Sequence, residues 1–224
     1  MRSEQLSIAA VTVLGGLPPV VVAVELVPGG VPDPAAMLRP APSSRAAEHE
    51  RGRRLVRRLA SEVLGADDVV IAVTDRGAPY LVGHQAGVSI SHTASHTAAA
   101  IWPCGPVGVD VEQPPAVLEE RLVRRCCGRW SGYVNGLPDP ARAAAFARVW
   151  TAQEACVKAL GLGLAGAPWR IPIDPRSSRG WWRRVFWVAQ SYAEPAALAL
   201  AVDLSKTAAG MSKAAADNSR GGLK

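Results

Sequence analysis

Residues 149–164 read VWTAQEACVKALGLGL. Ala152, Ala155, Ala159 and Leu160 favour helix, Gly161 offers a left-handed stop, and Gly163 keeps the following loop pliant. On such a helix Glu154 and Lys158 stand one turn apart on a single face, with Trp150 a further turn back. Upstream, PVGVDVE at 106–112 reads as a buried strand. Its period of two places Asp110 and Glu112 on the same face, either side of Val111. Three carboxylates beside one lysine would form an all-oxygen site for a hard cation that keeps a phosphate partner in its shell. The plainer reading of Glu154 and Lys158 is a solvated i, i+4 surface pair.

Around this nucleus the chain is long and apolar enough to fold. With 224 residues and 49% hydrophobic content it can bury a core as one large domain or two small ones, which excludes a disordered polymer. A formal charge of +6 suits an acidic partner, whether nucleic acid, anionic membrane or acidic protein. Cysteines 104, 126, 127 and 156 lack C-x-x-C spacing, so neither a zinc knuckle nor a disulfide scaffold is indicated and a reduced, cytosolic setting is expected. Residues 8–24, IAAVTVLGGLPPVVVAV, carry no charge, but Gly15-Gly16 and Pro18-Pro19 divide them into two short strands instead of a membrane span. The start, MRSEQ, sets one arginine against one glutamate, which disfavours a signal peptide.

The proline-rich stretch 28–44 predicts a loop, and the spacing of Leu55, Leu59 and Val63 a helix from about 45 to 64, with Ser43 or Ser44 as N-cap and Gly65 as its end. Its arginines, Arg51, Arg53, Arg54, Arg57 and Arg58, form a basic face. Strands are expected at 69–73, 88–91, 97–102 and 107–111, then a helix at 116–125, turns over 128–140, a long helix over 141–160, and paired strands at 181–190 and 196–202. Ser91 and His92 close one of these strands, where hydroxyl, backbone N–H and imidazole can donate to a phosphate. His92 and His96 make an H-x-x-x-H pair, but Thr93 stands where a zinc protease would carry glutamate. WWRRVFWVAQ at 181–190 could form a stacking platform for single-stranded nucleic acid, and a plain strand is the preferred reading. The tail 206–224 is small, polar and basic, and is expected to be disordered.

GVDVE at 108–112, W-T-x-x-E-A-x-x-K-A-x-G at 150–161 and S-I-S-H-T at 89–93 together resemble the 4'-phosphopantetheinyl transferases of the larger, surfactin-synthetase-activating type, over about residues 45–204. The resemblance implies an α+β fold of two similar α/β subdomains arranged as a pseudo-dimer, here 1–113 and 114–205, in a monomeric cytoplasmic protein. It implies transfer of the 4'-phosphopantetheine arm of coenzyme A to a serine of an acidic apo acyl or peptidyl carrier protein, with adenosine 3',5'-bisphosphate released. Asp110, Glu112 and Glu154 would hold Mg2+, or Mn2+. Glu154, Lys158 and Asp110 would be catalytic, and Arg51, Ser91, His92 and Lys158 would bind the coenzyme. No nucleic acid or membrane partner is implied. Two family cations are replaced: Gly77-Ala78-Pro79 stands for Gly-Lys-Pro, and Gln153 for the lysine before the glutamate. These replacements leave open a catalytically silent scaffold that binds coenzyme A or a carrier protein, and the basic charge leaves open a nucleic-acid-binding protein.

Overall fold

The computed structural model describes residues 6–13, 16–27, 42–190 and 196–207. Most of the 28–44 loop, the Ser43 and Ser44 side chains and the tail from 208 lie outside these residues. Ten strands and four α-helices are described: β1 (Leu6–Val11), β2 (Val20–Leu26), α1 (Pro42–Leu64), β3 (Ile71–Val73), β4 (Pro79–Leu81), β5 (Gly87–His92), β6 (His96–Trp102), β7 (Val107–Glu112), α2 (Glu120–Cys127), α3 (Ser131–Asn135), α4 (Ala141–Ala159), β8 (Arg179–Trp182), β9 (Val185–Gln190) and β10 (Ala197–Asp203).

They form two four-stranded antiparallel sheets, ordered β1-β2-β6-β5 and β7-β10-β9-β8, with β3 and β4 pairing separately. Alternation along the strands builds four layers. One face of the first sheet packs Ala23, Ala99 and Ile101 against Leu55, Val56 and Leu59 of α1. Its other face, with Val20, Val22, Val24, Ala98 and Trp102, meets Val107, Val109, Val111, Leu198 and Leu200 of the second sheet. The second sheet's outer face, with Ala199, Ala201 and Trp187, packs on Val149, Ala152 and Ala155 of α4. No helix among the described residues is long and apolar enough to cross a membrane, and residues 8–24 supply the β1–β2 hairpin.

Several sequence expectations shift. α1 begins at Pro42, a favoured first helical residue, so the backbone of Ser43 and Ser44 falls within it instead of ahead of it. The strand expected at 69–73 shortens to β3, and its partner β4 falls where no strand was expected. α2 starts at Glu120, four residues later than 116, after Glu119 in extended backbone at φ −73 and ψ 136. The turn-rich 128–140 holds the short helix α3. WWRRVFWVAQ is a hairpin: Trp182 faces Val185 across Arg183-Arg184, with Arg183 at φ 55. A two-residue hairpin loop requires positive φ, and no glycine announces it here. Gly65 and Gly161, both at φ 64, end α1 and α4 as expected.

Candidate active site

The two sheets meet along the edges of β5 and β7. A backbone ladder is replaced there by hydroxyls: Ser89 Oγ accepts from Val109 N at 3.0 Å, and Ser91 Oγ from Val111 N at 3.3 Å. With the valines of β7 turned inward, Gly108, Asp110 and Glu112 face α4. Gly108 sets how near the helix comes, since a Cβ there would lie 2.0 Å from the Ala155 carbonyl oxygen. That approach brings Lys158 Nζ to 3.1 Å from the Val109 carbonyl oxygen and 2.7 Å from Asp110 Oδ1. Sequence reasoning did not single out Gly108; a glycine inside a buried strand is the signal for close approach.

Asp110 is 4% exposed and anchored through one oxygen. Its Oδ1 accepts from Lys158 and, at 2.8 Å, from Ser91 Oγ, while Oδ2 is buried with no hydrogen-bond partner. Burial, and behind it the Asp110 charge, pushes Glu112 up to about 7, with Lys158 and a hydrogen bond from Trp150 pulling the other way. The same two causes raise Glu154, again opposed by Lys158. The three carboxylates and the lysine therefore share one electrostatic neighbourhood. Glu154 and Lys158 do not form the solvated pair of the plainer reading, because the ammonium pairs with Asp110 across the helix–strand interface. Among the described residues, no three His, Cys, Asp or Glu side chains are arranged to hold a metal ion between them.

A basic cluster borders the carboxylates. His92, at the end of β5, lies 3.4 Å from a Glu48 carboxylate oxygen and 6.0 Å, centroid to centroid, from the His49 ring. Burial lowers its pKa; Glu48 opposes this, while His49, Lys158 and Arg51 lower it further. Arg51 Nε is buried, with no hydrogen-bond partner among the described residues. His96, by contrast, is buried against Ser95 and Gln113, with Ser95 Oγ 2.8 Å and Gln113 Nε2 3.1 Å from its Nδ1. The H-x-x-x-H pair does not converge on a metal.

Gln153 lies elsewhere. It is fully buried, and its Nε2 donates to the Cys126 and Ile171 carbonyl oxygens at 2.7 and 2.8 Å. Although it stands where the resemblance places a lysine, Gln153 ties α4 to α2 and the 168–171 turn. Trp150 packs on the core, and its indole also hydrogen-bonds Glu112.

Two cavities flank the carboxylates. The larger, about 600 Å3, lies between β4, the start of β5, the Pro103–Pro106 turn and the end of α4; among the described residues Lys158 is its sole charged lining residue, and Ala78 also lines it. The smaller, about 190 Å3, is lined by Glu112, Pro115, Leu122, Phe146 and Trp150.

The acid–lysine cluster thus has a cleft on its Lys158 side and a smaller pocket on its Glu112 side. Residues 106–201, from the turn before β7 into β10, match the 4'-phosphopantetheinyl transferase superfamily, and this segment contains Asp110, Glu112, Glu154 and Lys158. The chain is also similar to the 4'-phosphopantetheinyl transferase pptA of Paxillus involutus, 29% identical over 157 residues. The match covers 56% of this chain and 59% of that protein, so the chain spans about three fifths of the relative's length.

Proposed function

We propose that this chain transfers the 4'-phosphopantetheine arm of coenzyme A to a serine hydroxyl of an apo acyl or peptidyl carrier protein. The observation that carries the reading is the junction of Lys158 with Asp110 at 2.7 Å, within the superfamily segment and at the border of the large cleft. The coenzyme would occupy that cleft, with Arg51, His92 and Lys158 receiving its phosphate oxygens. His92, held below its ordinary pKa, is neutral at pH 7 and contributes a hydrogen bond instead of a charge. The acceptor serine would approach from the Glu112 and Trp150 side.

Asp110, Glu112 and Glu154 fit magnesium or manganese: the donors are all oxygen, Asp110 Oδ2 lacks a partner, and burial disfavours the charges on the two glutamates, which a cation would relieve. Magnesium usually takes one or two carboxylates and completes its shell with water and substrate phosphate, so a preformed three-ligand cage is not required. When bound, the ion would neutralise charge developing on the leaving phosphate. Glu154 would accept the serine proton, directly or through water. The serine oxygen forms a bond to the pantetheine-bearing phosphorus, the bond from that phosphorus to the bridging oxygen breaks, and adenosine 3',5'-bisphosphate leaves with Lys158 on its phosphate.

A pseudo-dimer supports this site between two halves. β2, α1, β5 and β6 assemble in strand order β2-β6-β5, and β7, α4, β9 and β10 in the matching order β7-β10-β9. On this reading we take the division between the halves to fall ahead of β7. A basic net charge would steer an acidic carrier, and we read the protein as a cytoplasmic monomer without nucleic-acid or membrane partners. Incubation with magnesium, coenzyme A and a panel of apo carrier proteins tests the proposal. The arm should appear by mass on at least one carrier, and no labelling of any would refute transfer.

A further inference from the structure

We infer that Ser91 is a positioning residue that acts through Asp110, fixing which oxygen of that carboxylate is left for the cation, and that it does not bind the coenzyme. The inference rests on the transferase reading above. A serine hydroxyl has one proton to donate. That proton is committed to Asp110 Oδ1 at 2.8 Å, while the oxygen accepts from Val111 N at 3.3 Å. Ser91 is 6% exposed, so its hydroxyl is turned into the seam between the sheets and away from solvent. Donating to a coenzyme phosphate would require breaking a charge-assisted bond to a buried carboxylate.

The arrangement around Asp110 shows what this bond does. Lys158 and Ser91 reach Oδ1 from α4 and β5, and both bonds fall on the same oxygen. Oδ2 is left buried with no partner. A carboxylate held by one lysine could turn about its Cβ–Cγ bond, whereas two donors on different elements define its plane. Ser91 also receives the Val111 N–H, so one hydroxyl ties the side chain of Asp110 and the backbone beside it to the edge of the first sheet.

Ser89 provides an internal control. It makes the same seam contact, accepting from Val109 N at 3.0 Å, and no hydrogen bond joins it to Asp110 among the described residues. Removing either hydroxyl should weaken the seam, but only Ser91 should alter the carboxylate.

The test compares Ser91→Ala and Ser89→Ala with the parent by three measurements: calorimetric titration of coenzyme A without divalent ions, Mn2+ binding followed by electron paramagnetic resonance, and carrier labelling. Ser91→Ala should bind coenzyme A within about twofold of the parent while kcat and Mn2+ affinity each fall roughly tenfold, the scale of a hydrogen bond to a charged group. Ser89→Ala should lose thermal stability with Mn2+ affinity and kcat unchanged. Ser91→Thr, which keeps the hydroxyl, should recover kcat. A roughly tenfold loss of coenzyme A affinity in Ser91→Ala with kcat intact would overturn the inference, as would unchanged kcat and Mn2+ affinity. If Ser91→Ala fails to fold, Ser91→Cys gives the same readout, since a thiol keeps the volume and is a weak donor. A parent that neither binds Mn2+ nor labels any carrier overturns the transferase reading and the inference with it; an active parent with an indifferent Ser91 overturns the inference alone.

Discussion

Helices α1 and α4 each cover the outer face of a four-stranded sheet, yet they treat charge in opposite ways. α1 buries Leu55, Val56, Leu59 and Ala60 and turns arginines outward, where Arg57 pairs with Glu50 and Arg58 with Glu62 at the surface. α4 is buried on most of its circumference, and its polar residues near the C-terminal end point into protein: Thr151 to its own backbone, Gln153 to Cys126 and Ile171, Lys158 to Asp110. A charge at Arg57 or Arg58 costs little to place and contributes little. On α4 it must be paired or serve a ligand, because burial without compensation costs several kcal/mol. The contrast explains why identical i, i+4 spacing means a solvated pair at Arg58 and Glu62, whereas Lys158 turns from Glu154 to pair with Asp110 across the helix–strand interface.

The largest effect that would sharpen this contrast is at Gln153. Gln153→Lys restores the lysine that the family carries, but inside this helix it exchanges two hydrogen bonds for an unpaired buried charge. It should destabilise the fold by about 3–5 kcal/mol without raising turnover, as a denaturant midpoint and a labelling assay would show. A stable variant with improved coenzyme affinity would mean that position 153 faces the site. Next, Glu154→Gln and Asp110→Ala should each lower turnover by roughly two to three orders of magnitude. Both should remain folded by circular dichroism.

Gly108→Ala probes the approach of α4 itself. With a Cβ 2.0 Å from the Ala155 carbonyl oxygen, helix and strand must separate, at about 1–3 kcal/mol and with Lys158 drawn away from Asp110. Stability and transfer should fall together.

Glu112→Gln should separate them. With its pKa raised from an ordinary 4.5 to about 7, Glu112 in the folded chain keeps a proton that the unfolded chain has shed. Stability therefore falls as pH rises between those values and levels off above about 7. Glutamine removes that penalty, so without divalent ions Tm at pH 8 should rise by a few degrees, on the order expected for about 1 kcal/mol or more, while transfer is lost. The smallest effect belongs to α1: Arg58→Ala should change stability by no more than about 0.5 kcal/mol and leave labelling untouched.

Much of this was legible in the sequence because local pattern and tertiary demand agree. The 141–160 helix, the inward valines of β7 and the shared face of Asp110 and Glu112 all follow from periodicity. Gly161 ends α4 for the reason its position suggests. The remainder depended on partners distant in sequence. Nothing near Gln153 reveals that it meets Cys126 and Ile171, and nothing near Ser91 reveals that Asp110 will take its proton. The 181–190 hairpin was hidden because its turn uses Arg183 at positive φ, where glycine or asparagine is the usual signal.

The central claim is that Glu154 and Lys158 belong to a transfer site and are not a surface pair. Single-turnover labelling of an apo carrier protein, with coenzyme A binding measured calorimetrically on the same samples, tests it most directly. Glu154→Gln should bind coenzyme A nearly as the parent does and fail to transfer the arm, whereas Lys158→Ala should weaken both steps. If both variants bind and label like the parent, α4 does not carry the active site.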